Sequence, residues 1–133
     1  MMKKFHCTNH RFATEVLDLR NLDENFKNCF PKLTFALTDF QKKVISNVSD
    51  KGNTLCILPT GGGKSVIYWM STLELNGTAI VISPLTALIS EQASKIEEQG
   101  YEVLAIHGGV SVTKQMKLLS DSANKKRNPK FIF

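Results

Sequence analysis

Residues 1–11 form a polar arm without periodicity, and the patterned part of the chain begins after it. Phe12, Val16, Leu17, Leu19 and Leu22 recur at helical spacing, and Phe26, Cys29 and Phe30 carry the same face towards Pro31, which predicts one helix. A second helix follows residues 35–41, with Phe40, Val44, Ile45 and Val48 on one apolar face and Lys42 and Lys43 outside it. Lys51-Gly52-Asn53 is turn chemistry. Residues 54–58 are a short apolar run that predicts a strand, followed by three glycines. The helix predicted from Lys64 to about Leu75 carries Val66, Ile67, Tyr68, Trp69, Met70 and Leu73 over most of its circumference, so it reads as buried. Asn76-Gly77 ends it, and residues 78–82 form a second apolar strand. A helix over 87–99 stops at Gly100, a third strand spans 101–106, a helix spans about 110–121, and Lys130-Phe131-Ile132-Phe133 opens a fourth strand. Strands alternating with helices at this spacing predict an α/β fold with a parallel sheet.

Composition adds limits. The chain has 133 residues, of which 42% are hydrophobic and 22% charged, enough for one domain with a real core and unlike a disordered chain. Its apolar runs are too short to span a bilayer, and Met1-Met2-Lys3-Lys4-Phe5-His6-Cys7 turns polar before a signal-peptide apolar region develops. The expected setting is intracellular, cytoplasmic (nucleoid) or nuclear, with no membrane partner. The net charge of +5 resides in residues 111–133, where Lys114, Lys117, Lys125, Lys126, Arg127 and Lys130 face Asp121 alone. Such a segment can attract phosphate backbones, or be a solvated helix and loop.

Cys7, Cys29 and Cys56 are widely spaced, which indicates neither a disulfide framework nor a zinc ribbon. His6, Cys7 and His10 cluster, but with no second ligand pair downstream they read as a solvated arm rather than a metal site. Cys56, inside the predicted strand, reads as a small buried hydrophobe. Leu22-Asp23-Glu24-Asn25 has the look of a metal-binding acidic pair, but no buried apolar strand precedes it.

The chemistry concentrates in residues 54–67, read as strand, phosphate-binding loop and helix. Gly61, Gly62 and Gly63 let a backbone curl around an anion with N–H groups inward, and the following helix adds the positive end of its dipole. Lys64 then reaches the β- and γ-phosphates, and the Ser65 hydroxyl suits Mg²⁺. The general pattern G-x-x-x-x-G-K-[ST] asks for glycine where this chain has Leu58. Upstream, Thr38 and Gln41 have capping-box spacing, while a glutamine amide can also pair with the N6 and N7 edge of adenine; spacing alone leaves both open. Tyr68 and Trp69 could stack on a base, although core packing suits their position better.

Leu58-Pro59-Thr60-Gly61-Gly62-Gly63-Lys64-Ser65, followed by Val81-Ile82-Ser83-Pro84-Leu85-Thr86-Ala87-Leu88-Ile89-Ser90-Glu91-Gln92, resembles motifs I and Ia of superfamily 2 helicases of the DEAD/DEAH type, closest to the RecQ-like DNA helicases. The resemblance covers about residues 35–133. It implies a RecA-like P-loop NTPase sheet and ATP with Mg²⁺ as cofactors. Gln41 would read adenine; Thr60, Gly61, Gly62, Gly63, Lys64 and Ser65 would hold the triphosphate and metal, with Lys64 catalytic. Ser83, Pro84 and Leu85 would meet single-stranded or forked DNA, and His107-Gly108-Gly109 resembles the next contact, where Gly108 and Gly109 would meet phosphates. That last turn reads equally as a glycine-rich βα connection.

The sequence departs from the family at Leu37-Thr38, where a phenylalanine-arginine pair is usual, and at Ile67-Tyr68-Trp69, where Cys-Tyr-Gln is usual. No Asp-Glu-x-His follows the third strand. The expected organisation is a helical extension over residues 1–34 and, over 35–133, the first part of a helicase ATP-binding domain that stops before that acidic motif. Unwinding, 3′ to 5′ by resemblance, belongs to the full-length protein. The alternatives are another P-loop NTPase and a non-catalytic remnant acting as a binding module; the motifs set no oligomeric state.

Overall fold

Helix α1 (Leu22–Cys29) of the computed structural model, which describes residues 5–6, 16–17, 21–51 and 53–133, starts later than the apolar spacing predicts. Asn21 sets its start. The side-chain oxygen accepts from the Glu24 N–H at 3.4 Å, and the side-chain amide donates to the Glu24 carboxylate, which satisfies a donor that a helix N-terminus otherwise leaves open. Val16 and Leu17, expected on the same helix, are strand instead. β2 (Val16–Leu17) pairs antiparallel with β1 (Phe5–His6), Phe5 opposite Leu17 and His6 opposite Val16. A β-branched residue beside a leucine fits a pleated ribbon as well as a helix face, and two matches to the helical period do not separate them. Phe12, Leu19, Cys7 and His10 lie outside the described residues.

The chain divides into two compact units, Met1–Gly77 and Thr78–Phe133. In the first, α3 (Lys64–Glu74) packs against α2 (Asp39–Lys51), α1 and β1. Phe26, Phe30, Ile45, Met70 and Leu73 are fully buried there. Phe26 lies with its ring centroid 5.5 Å from Phe30 and 5.5 Å from Phe35, and Phe30 lies 5.8 Å from Trp69. Tilted aromatic pairs at these separations add about 0.5–1.5 kcal/mol each beyond the area they bury. Trp69 is buried, which bears out core packing over base stacking. On α2 the inward face is Gln41, Val44 and Ile45; Phe40, expected on it, is 49% exposed. At 100° per residue, Gln41 and Ile45 share a face one turn apart, and Phe40 is turned off it.

The predicted strand at 54–58 is absent. Residues 53–59 carry no strand ladder, with Leu55 87% and Ile57 82% exposed and Cys56 half-buried. A β-strand exists only through its neighbours, and within its own unit the described residues hold no other strand than the short β1–β2 ribbon.

The second unit is built on β3 (Ala79–Ile80), β4 (Val103–Leu104) and β5 (Phe131–Ile132), all parallel, in the order β3-β5-β4. Ala79 aligns with Phe131, and Phe131 with Val103. The ladders run beyond these cores: Val81 N–H donates to the Ile132 carbonyl at 2.8 Å and Ile106 N–H to the Phe133 carbonyl at 2.7 Å. The fourth predicted strand therefore lies between the second and third, paired in parallel with both. Helix α4 (Thr86–Glu98) packs on β4 through Ile89, Ala93 and Ile96, and Tyr101 meets Phe131 edge to face at 6.3 Å. Helix α5 (Val112–Ala123), started by the Ser111 side chain, has no buried residue and exposes Val112, Met116 and Leu119. No helix among the described residues is long and apolar enough to cross a membrane.

Candidate functional site

The glycine loop of the first unit is held by contacts that a side chain at two of its positions would crowd. Gly62 N–H donates to the Pro59 carbonyl at 3.1 Å, and a Cβ on Gly62 would come within 3.0 Å of that oxygen and 3.1 Å of Leu58 Cβ. Gly63 is the N-cap of α3 with φ +76°, and a Cβ there would lie 2.2 Å from Gln41 Nε2. It offers no side-chain cap, and the first turn of α3 contains no acidic residue. The opening N–H groups of α3 therefore lack a competing anion, the electrostatic arrangement that favours a phosphate.

Gln41 joins this loop to α2. Its N–H donates to Thr38 Oγ1 at 3.2 Å, and its Oε1 accepts from the Thr38 N–H at 2.8 Å, so the capping box is formed. The same amide reaches the loop: Nε2 donates to the Gly63 carbonyl at 3.3 Å. Two protein partners of opposite type thus fix which way round the amide lies. The structural role that spacing left open is real, and it leaves one N–H and one oxygen lone pair of the amide unused by these contacts.

Lys64 turns back onto its own loop. Nζ donates to the carbonyls of Leu58 and Pro59, at 2.9 Å each. The side chain is exposed, and so is Thr60; Ser65 is half-buried at the start of α3. Among the described residues no group of three or more His, Cys, Asp or Glu is placed to hold a metal ion. Ser65 offers a hydroxyl at this end of α3, a ligand type that suits a hard ion taking most of its oxygens from phosphate and water.

In the second unit, Ser83, Pro84 and Leu85 follow β3, and His107, Gly108 and Gly109 follow β4, so both turns lie at the carboxyl edge of the parallel sheet. That edge is where open α/β sheets bind ligands. Ser83 Oγ accepts from the Leu85 N–H at 3.4 Å; Pro84 is exposed and Leu85 is 56% exposed. Leu85 caps α4 without a side-chain acceptor. The Gly109 N–H is engaged by His107 Nδ1 at 3.2 Å, and a Cβ at Gly108 would meet open space.

Three features had no strong sequence signal. Gln115 Nε2 donates to the carbonyls of His107 at 3.0 Å and Val110 at 2.7 Å, bracing the glycine turn from α5. Lys42 reaches Asp23 of α1 at 2.6 Å, and the Asp23 hydrogen bond holds its ammonium above the ordinary lysine value. Glu74 is fully buried at the end of α3, where burial pushes its carboxyl up to about 7. A charged residue within a mostly apolar helix was its only mark in the sequence.

A family model described as DEAD/DEAH box helicase matches residues 38–132. Among curated proteins the chain is similar to the ATP-dependent DNA helicase RecQ of Bacillus subtilis, 49% identical over 55 residues, which is 41% of this chain and 9% of that protein. It is 34% identical over 124 residues to the ATP-dependent DNA helicase Q5 of Rattus norvegicus, covering 92% of this chain and 12% of that protein. The ATP-dependent DNA helicase Q-like 4B of Arabidopsis thaliana is 27% identical over 107 residues, 78% of this chain and 9% of its own length. The chain spans about a tenth of the length of these relatives.

Proposed function

The chain belongs to the DEAD/DEAH box helicase family, and from that membership we propose that residues 35–133 are the first part of a RecA-like ATP-binding domain, preceded by an extension over 1–34, in a RecQ-like DNA helicase. The observation that carries this reading is the hydrogen bond from Gln41 to the Gly63 carbonyl, which joins a base reader to a phosphate loop. Thr38 and Gly63 orient the Gln41 amide with one lone pair and one N–H to spare, and adenine offers an N6 donor and an N7 acceptor to match. Guanine presents acceptors at both places, so one of them would face the amide oxygen whichever way round the amide lay.

Thr60, Gly61, Gly62 and Gly63 with the first turn of α3 would cradle the triphosphate. Lys64 would exchange two loop carbonyls for phosphate oxygens, a stronger, charge-assisted pairing. Ser65 would hold Mg²⁺, which when bound neutralises charge between the β- and γ-phosphates. Single-stranded or forked DNA would run over Ser83, Pro84, Leu85, Gly108 and Gly109. The uncapped start of α4 suits its phosphates, and the basic residues 111–133 add long-range attraction. In the full-length protein the cycle would drive unwinding, 3′ to 5′, inside the cell. Hydrolysis further needs a metal-holding carboxylate and arginines, and no Asp-Glu-x-His lies within these 133 residues.

The test is thermal melting of the chain with Mg-ATP, together with a phosphate-release assay. ATP is expected to raise the midpoint of the wild type and not that of Lys64→Ala, with release at background in both, DNA present or not. Equal midpoint shifts, or DNA-stimulated release lost on Lys64→Ala, would sink the reading.

A further inference from the structure

Helices α2 and α3 are tied together at both ends. Near their starts Gln41 Nε2 donates to the Gly63 carbonyl at 3.3 Å, and near their ends Ser49 Oγ donates to Glu74 Oε2 at 3.1 Å. Start meets start and end meets end, so the two helices run side by side in the same direction, with the ties roughly 12–16 Å apart at 1.5 Å per residue.

The second tie is a poor place for a charge. Glu74 has no exposed surface, and its Oε1 is buried with no hydrogen-bond partner among the described residues. Glu74 is the last residue of α3 and Ser49 lies in the last turn of α2, so the negative ends of both helix dipoles converge on the carboxyl. Asp50, next to Ser49, adds a further negative charge. Of the other charged residues on the elements packed against α3, Glu24, Lys27 and Lys43 are exposed and Asp23 is paired with Lys42; Lys51 ends α2, and β1 carries His6. A neutral carboxyl keeps the Ser49 bond, gains an O–H of its own to donate, and avoids the cost of burying an anion beside two helix ends.

We propose that Glu74, held as the neutral acid, acts with Ser49 as a positioning pair: it fixes α2 against α3, keeps Gln41 on the Gly63 carbonyl, and loosens that contact when the carboxyl ionises. The Ser49 bond by itself favours the anion, but burying that anion beside two helix ends costs more, so the ionised carboxyl turns out towards water, the tie opens, and the amide at the far end loses its fixed bearing on the loop. The placement of Gln41 thereby becomes sensitive to pH. This extends the nucleotide reading given above, and its effect on base preference rests on that reading; the effect on stability does not.

Burial first, and then Asp50, push the folded-state pKa up to about 7 against the opposing pull of the Ser49 bond, above the ordinary carboxyl value of 4.5. The folded chain therefore holds the proton more tightly than the unfolded one. Stability from the neutral acid is complete below about pH 4.5, is lost as pH rises towards 7, and changes no further above it.

The experiment compares the full 133-residue chain as wild type, Glu74→Gln and Ser49→Ala from pH 5 to 8.5, by melting midpoint and by the ratio of ATP to GTP in displacing a fluorescent adenine nucleotide. Taking the ratio cancels the titration of the nucleotide phosphates, which the two share. Glu74→Gln keeps shape and neutrality, so its midpoint should match the wild type at pH 5 and exceed it by several degrees at pH 8. Ser49→Ala removes the donor that favours the anion, so its fall should continue to higher pH than that of the wild type. The ATP-to-GTP ratio should drop several-fold between pH 6 and 8 in the wild type and stay level in Glu74→Gln. Parallel midpoint curves for wild type and Glu74→Gln would overturn the pair. A midpoint difference with a pH-independent ratio would overturn the positioning role and leave Glu74 purely structural. If no nucleotide binds at any pH while the midpoints diverge, the tie stands and the nucleotide reading falls.

Discussion

Gly63 and Gln41 constrain one another closely. A side chain at Gly63 meets two obstacles, a left-handed backbone at φ +76° and the Gln41 amide 2.2 Å from the new Cβ. The backbone alone costs about 1–2 kcal/mol for a non-glycine residue. Gly63→Ala should therefore lower the melting midpoint by at least about 4–8 °C and weaken ATP binding as Gln41 is displaced, measured by melting and by nucleotide displacement; an unchanged midpoint would show that the contact yields freely. The three glycines stood out in the sequence as a turn with the pattern of a phosphate loop. What was not legible was their pairing with Gln41, because the two meet across a loop and only the fold brings them together. Glu74 was obscured for a different reason: its surroundings decide its charge state, and those come from α2, a separate helix.

At the level of elements, helices were legible and strands less so. α2, α3, α4 and α5 all appear close to their expected spans because caps and apolar periodicity are local properties: Thr38 with Gln41, Gly63, Gly100 and Ser111 mark their boundaries. Thr38→Ala removes the Oγ1 acceptor for the Gln41 N–H and should cost about 1 kcal/mol, read by denaturant unfolding at unchanged slope. A change within error would mean that Gln41's remaining bonds suffice to start α2. Strand formation depends on partners that no local pattern reveals. The run at 54–58 is as apolar as that at 78–82, yet the latter forms a ladder with β5 and the former forms none. The ribbon of β1 and β2 was missed because Val16 and Leu17 matched a helical period by coincidence, while Phe5 and His6 lay in an arm read as having no periodicity.

At the scale of the molecule, the α/β class and the parallel sheet followed from alternation alone, and the order β3-β5-β4 realises it. Its carboxyl edge gathers the turns at Ser83 and Gly108 from distant parts of the chain, so that short family-like motifs occupy one edge of the sheet. The first unit separately joins Gln41 and the glycine loop in one hydrogen-bonded group, proposed above as an adenine nucleotide site. Its most direct test is the ratio of ATP to GTP needed to displace a fluorescent adenine nucleotide from the wild type and from Gln41→Glu at pH 6. The variant keeps the acceptor that caps Thr38 and loses the donor to Gly63 and to adenine N7. The wild type should prefer ATP by about tenfold or more, in line with the roughly 1–3 kcal/mol that a bidentate base contact contributes, and Gln41→Glu should show little preference. Equal competition by ATP and GTP in the wild type, or an undiminished preference in Gln41→Glu, would contradict it.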